Sequence, residues 1–73
     1  MFEADALLED RVDAAIQSSP YLAGRSLRSE TRAGRVVLHG VVGTYYQKQM
    51  AQEAVRRIDG VEFIDNRLEV AWT

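Results

Sequence analysis

Between Arg35 and Val70 the chain passes through a period-two stretch, a one-sided helical stretch and a second period-two stretch. That succession leaves few folds open. In "RVVLHGVV", residues 35–42, Val36, Leu38 and Val42 point one way and Val37, His39 and Val41 the other, which is the alternation of a strand. Thr44 then stands where a hydroxyl can accept from an unpaired backbone N–H, so a helix is expected from there to about Ile58. Its apolar stripe is Ala51, Ala54, Val55 and Ile58, and Gly60 is expected as the glycine that ends it. "VEFIDNRLEVAW", residues 61–72, alternates again: Ile64, Asn66, Leu68 and Val70 on one face, Val61, Phe63, Asp65, Arg67 and Glu69 on the other. Two strands joined through a helix pair in parallel, with a right-handed crossover.

Upstream, Ala4, Leu7, Leu8, Val12, Ala15 and Ile16 have the spacing of an amphipathic helix. Glu3, Asp10, Asp13 and Gln17 fall off its stripe, and Ser18-Ser19-Pro20 ends it, because proline disfavours helical geometry in the residue before it. Residues 21–24 connect to "RSLRSETR", in which Leu27, Ser29 and Thr31 alternate with Arg28, Glu30 and Arg32. Ala33-Gly34 is the expected two-residue hairpin turn, Gly34 supplying positive φ.

The expected fold is therefore α+β: a two-layer α-β-β-α-β sandwich, with a three-stranded mixed sheet and both helices on one face. The expected core is Leu8, Val12, Ile16, Leu27, Val36, Leu38, Val42, Ala51, Val55, Ile58, Ile64, Leu68 and Val70. The reverse of the sheet is left without a helix. Val37, His39, Val41 and Phe63 are expected there, beside Arg28, Glu30, Arg32, Asp65 and Arg67, as a candidate protein interface. Residues 1–73 form one domain, and a chain this short buries only about 60% of its unfolded surface.

Composition narrows the chemistry. With no cysteine there is no disulfide, no thiolate nucleophile and no thiolate metal ligand. His39 is the sole histidine and has no nucleophile and orienting acid at triad spacing. Asp59, Glu62 and Asp65 lack the regular oxygen ligands and central glycine of a calcium loop. No catalytic residue, metal or cofactor is expected. No apolar run approaches the roughly 18 residues of a membrane span, and residues 1–16 do not read as a secretory signal. Net charge is −2, yet residues 21–57 carry Arg25, Arg28, Arg32, Arg35, Lys48, Arg56 and Arg57 against Glu30 and Glu53. Arg25, Arg28, Arg32, Arg35 and Lys48 are the candidate contacts to an anionic ligand or lipid. An acidic pI near 5.2 and the lack of a basic recognition helix count against nucleic acid.

"GRVVLHGVV" followed by a helix and "GVEFIDNRLEV" resembles the BON domain. The family's G-x-V-x-L-x-G-x-V strand is matched by Gly34, Val36, Leu38, Gly40 and Val42. Its G-V-x-x-V-x-N-x-L-x-V strand is matched by Gly60, Val61, Ile64, Asn66, Leu68 and Val70, with Ile64 in place of valine. The likeness covers residues 7–70. It implies a non-enzymatic binding or adaptor module that contacts phospholipid surfaces or other cell-envelope components. The competing reading is a homo-oligomerisation or domain-docking module acting through the uncovered sheet face. As given, the chain carries no address and reads as cytoplasmic; as a piece of a longer BON protein it would be periplasmic or envelope-associated. Gly34, Gly40, Gly60 and Asn66 are expected to be structural: Gly40 where a helix crosses closely, Asn66 as a buried amide bound to loop backbone. The Gly40-Val41-Val42-Gly43 spacing could also mark a phosphate cradle, but a bare GxxG is too common to stand alone.

Overall fold

The computed structural model describes residues 3–22 and 27–71. Helix α1 spans Glu3–Ser18 and strands β1 and β2 span Leu27–Arg32 and Arg35–Val42. Helix α2 spans Tyr45–Arg56, followed by β3, Phe63–Asn66, and β4, Glu69–Val70. β1 pairs antiparallel with β2, and both β3 and β4 pair parallel with β2, which makes β2 the centre of a mixed sheet. The α-β-β-α-β order holds, with the last strand broken into two pieces. Ala33 (φ +50°) and Gly34 (φ +83°) close the β1–β2 hairpin, the paired positive φ values of a type I′ turn.

The register assigns the faces. Ser29 lies opposite Leu38 and Thr31 opposite Val36, while Val36 lies opposite Ile64 and Leu38 opposite Asn66. Of these, Val36 and Leu38 join Leu8, Val12 and Ile16 of α1 and Ala51 and Val55 of α2 in one cluster, with Val42 and Leu68. Both helices therefore lie on this side. Ser29 Oγ donates to Asp13 Oδ1 at 2.7 Å, which fastens α1 over the edge strand. Asp13 thus turns toward β1 and away from the wet helix face expected for it. Leu22, read from sequence as connector, is buried in the same cluster, and Leu27, Ile58, Ile64 and Val70 pack against it only partly buried.

Val61 was expected on the reverse face, and the structure corrects this. The strand starts only at Phe63, and Val61 N–H donates to Ile58 O in a turn that folds Val61 against the core. Gly60 is also corrected. The helix ends at Arg56 with Arg57 as its cap, and Gly60 (φ +101°) occupies the third position of the Ile58–Val61 turn.

The break between β3 and β4 has a local cause. Leu38 faces Asn66 and Val41 faces Glu69, so one register runs through both pieces and nothing is inserted. Arg67 N–H still donates to Leu38 O at 2.9 Å. Leu68 N–H donates instead to Asn66 Oδ1 at 3.2 Å, a side chain answering a backbone donor two residues on. Asn66 Nδ2 donates to Lys48 O at 2.9 Å and to Gln52 Oε1 at 3.3 Å. The amide therefore ties the sheet edge to α2, and its backbone partner belongs to a helix where a loop was expected. Opposite the break, Gly40 takes φ +141°, a conformation that explains glycine there independently of any close helix crossing.

Candidate interaction face

The reverse of the sheet is assembled from the residues that alternate with the core. Three rows cross it. Arg28 lies opposite His39; Glu30, Val37 and Asp65 lie in line; Arg32, Arg35 and Phe63 lie in line. Val41, Arg67 and Glu69 extend the same side of β2 and the last strand. The helices leave this surface open: Phe63 is 57% exposed and Val41 45% exposed, whereas Val37 and His39 are half-buried between neighbouring strands.

The apolar residues do not form one continuous patch. Val37 is flanked by Glu30 and Asp65 and lies diagonal to Phe63, and His39 stands between it and Val41. The candidate interface is thus a mixed surface of single apolar residues among charges.

Asp65 organises the charges at the hairpin end. Its Oδ2 accepts from Arg67 Nε at 2.9 Å and from Arg35 Nη2 at 3.2 Å. The Arg35 guanidinium also lies 5.2 Å from the centroid of the Phe63 ring, a cation–π distance. Partial desolvation pushes the Asp65 carboxyl upward, but the hydrogen bonds and charges of Arg67 and Arg35 outweigh it and hold the carboxyl below its ordinary 3.8. A depressed folded value stabilises the fold above the unfolded pKa, and that contribution is lost as pH falls through the folded pKa. Stability is accordingly expected to drop below about pH 4, and Asp65→Asn is expected to flatten that acid limb in pH-dependent urea unfolding. At the other end, His39 Nε2 is 3.7 Å from Glu30 Oε2, beyond hydrogen-bond reach and an ion pair only when the imidazole is protonated.

The candidate basic residues are not all brought together. Arg28, Arg32 and Arg35 share the open face, and Arg28 and Arg32 form no ion pair within 4 Å among the described residues. Lys48 lies on α2, in the helix layer on the far side of the sheet, where its carbonyl serves Asn66. Arg25 lies outside the described residues. Arg67, placed on this face by the alternation yet not singled out, joins the set through Asp65. Its signal was the Asp65-x-Arg67 spacing, which puts acid and base on one side of a strand.

The GxxG segment is a strand-to-helix corner. Thr44 Oγ1 accepts from Gln47 N–H at 3.0 Å, and Gln47 Oε1 accepts from Gly43 N–H at 2.7 Å. Gln47 Nε2 reaches on to Tyr21 O at 3.1 Å. Two of the backbone donors that a phosphate would use, Gly43 N–H and Gln47 N–H, are thus taken by the chain's own side chains. Gln47 was legible as the fourth residue of a Thr-x-x-Gln capping signature. Nearby, Tyr46 packs edge-on against Tyr21 with centroids 5.3 Å apart, both half-exposed. Among the described residues no group of three or more acidic, histidine or cysteine side chains could hold a metal, and no helix is long and apolar enough to cross a membrane.

This fold and face define a class: a small two-layer α+β sandwich with one sheet face open. Within it, the chain belongs to the BON domain family, whose model matches residues 4–71. The family is one of binding and adaptor modules. A search of the curated proteins gives no match.

Proposed function

We propose that this BON domain is a non-catalytic adaptor that lays the open face of its sheet on an anionic phospholipid surface. The observation that carries this reading is the pair Arg28 and Arg32, exposed on β1 without ion-pair partners among the described residues, on the same face as exposed Phe63 and Val41. One basic residue near an acidic leaflet contributes about 1 kcal/mol. With Arg35 and Arg67 engaged by Asp65, the single domain attaches weakly and reversibly, and attachment falls as salt screens it.

Sedimentation with phosphatidylglycerol vesicles tests this. The domain is expected to pellet at low salt, to stay in solution with phosphatidylcholine alone, and to lose most binding as Arg28→Glu/Arg32→Glu. Unchanged binding of that variant ends the lipid reading.

A second reading is favoured by the composition of the face, which is rich in arginine with an exposed aromatic and no lysine, as at protein interfaces. It assigns the same surface to a protein partner or a second copy. Sedimentation equilibrium addresses the second copy: association abolished by Phe63→Asp supports it, and a monomer at all concentrations contradicts it.

A further inference from the structure

Two guanidiniums converge on one carboxylate oxygen of the edge strand β3 on the open face, and the groove beside them is lined by Arg32, Arg35, Val37 and Arg67 together with Thr31 and the carboxylates of Glu9 and Glu30. Two arginine donors meeting at a single oxygen is also how a phosphate oxygen is held. Asp65 is positioned for this from inside the chain: it lies opposite Val37, one row from Arg32 and Arg35, with its side chain 25% exposed. Arg35 and Arg67 remain 55% and 59% exposed, so each can turn outward without uncovering the core.

We propose that Asp65 occupies, in cis, a phosphate site formed by Arg35 and Arg67, and so sets how strongly the face takes an anionic headgroup. The inference rests on the lipid reading above. The ligand is the phosphodiester of an anionic phospholipid, which displaces the carboxylate and takes both guanidiniums. No bond is made or broken; ion pairs are exchanged. Asp65 is then a specificity-determining residue that keeps the unliganded face nearly neutral, so that the domain ignores weakly anionic surfaces.

Glu30 supplies the control. It lies in the same row, across Val37, lines the same groove and carries the same charge, but among the described residues its one partner within 4 Å is the His39 imidazole, and it pairs with neither Arg35 nor Arg67. Glu30→Gln and Asp65→Asn therefore change the net charge of the face equally, and only the second frees the two arginines.

The test is vesicle sedimentation of the wild-type chain, Asp65→Asn, Glu30→Gln and Asp65→Asn/Arg35→Gln/Arg67→Gln, with folding of each checked by circular dichroism. Asp65→Ser stands in if Asp65→Asn does not fold. Asp65→Asn is expected to bind phosphatidylglycerol vesicles at least fivefold more tightly than wild type, by roughly 1 kcal/mol per freed basic residue. Glu30→Gln should gain clearly less, and the triple variant should lose the gain. Inorganic phosphate at millimolar concentration should compete poorly; full competition would assign the pair to soluble phosphate and overturn the headgroup assignment. Equal gains in Asp65→Asn and Glu30→Gln would reduce the effect to net charge and overturn the inference, leaving the lipid reading intact if Arg28→Glu/Arg32→Glu still fails to bind. Absence of binding by every chain overturns both.

Discussion

Leu38→Ala is expected to cost about 2–5 kcal/mol, the range for truncating a fully buried leucine whose surroundings cannot collapse. Leu38 is 0% exposed on the central strand, lies between Ser29 and Asn66 of the flanking strands, and belongs to the core cluster to which both helices contribute. At roughly 0.05–0.15 kcal/mol per residue, a chain of this length has a total stability of about 4–11 kcal/mol. The substitution therefore removes a large part of it. Urea unfolding followed by circular dichroism should show the midpoint sharply lowered, or no folded baseline at all. Val37→Ala, the neighbouring residue on the open face, should cost no more than about 1 kcal/mol, since its side chain faces no helix. Similar losses at both positions would contradict the assignment of the two faces.

Asn66→Ala should have the second-largest effect, about 1–3 kcal/mol, because it removes the acceptor of Leu68 N–H and the amide's tie to Lys48 O of α2 at once. Asn66→Asp should do no better. It keeps an acceptor for Leu68 but turns a carboxylate toward Lys48 O and Gln52 Oε1, where the amide now donates. Urea unfolding gives the magnitude. Amide exchange gives the mechanism: Leu68 N–H should exchange faster in Asn66→Ala, out of proportion to the global loss. An alanine variant as stable as wild type would reduce the amide to a bystander.

These two residues also mark how far the sequence could be read. Leu38 was legible because a buried strand position announces itself through alternation, and the same logic located β1, β2, the hairpin turn and both helix stripes. Asn66 was legible as a polar residue in a core register, but its partners were not, since they lie on a helix 14 and 18 residues away. Leu22, Val61 and Gly60 escaped for a related reason. Each sits in a turn or connector, where tertiary packing, not a period, decides which way a side chain points. On the open face, alternation placed Arg28, Arg32, Val37, His39, Val41 and Phe63 on one side of the sheet, where the structure has them. It gave no means of seeing that Lys48 belongs to the other layer, or that Asp65 engages two of the arginines. Charge counted along a chain contains no distances.

The central claim is that α1 and α2 share one side of the sheet and leave the other free for contact. Nuclear Overhauser spectroscopy on isotope-labelled protein tests it most directly. Val36 and Leu38 methyls should show cross-peaks to Val12 of α1 and Val55 of α2, while the Phe63 ring and Val41 methyls show none to either helix. Cross-peaks from Phe63 to the methyls of Val12 or Val55 would mean that a helix covers the face assigned here to a partner, and the account of that face would fail.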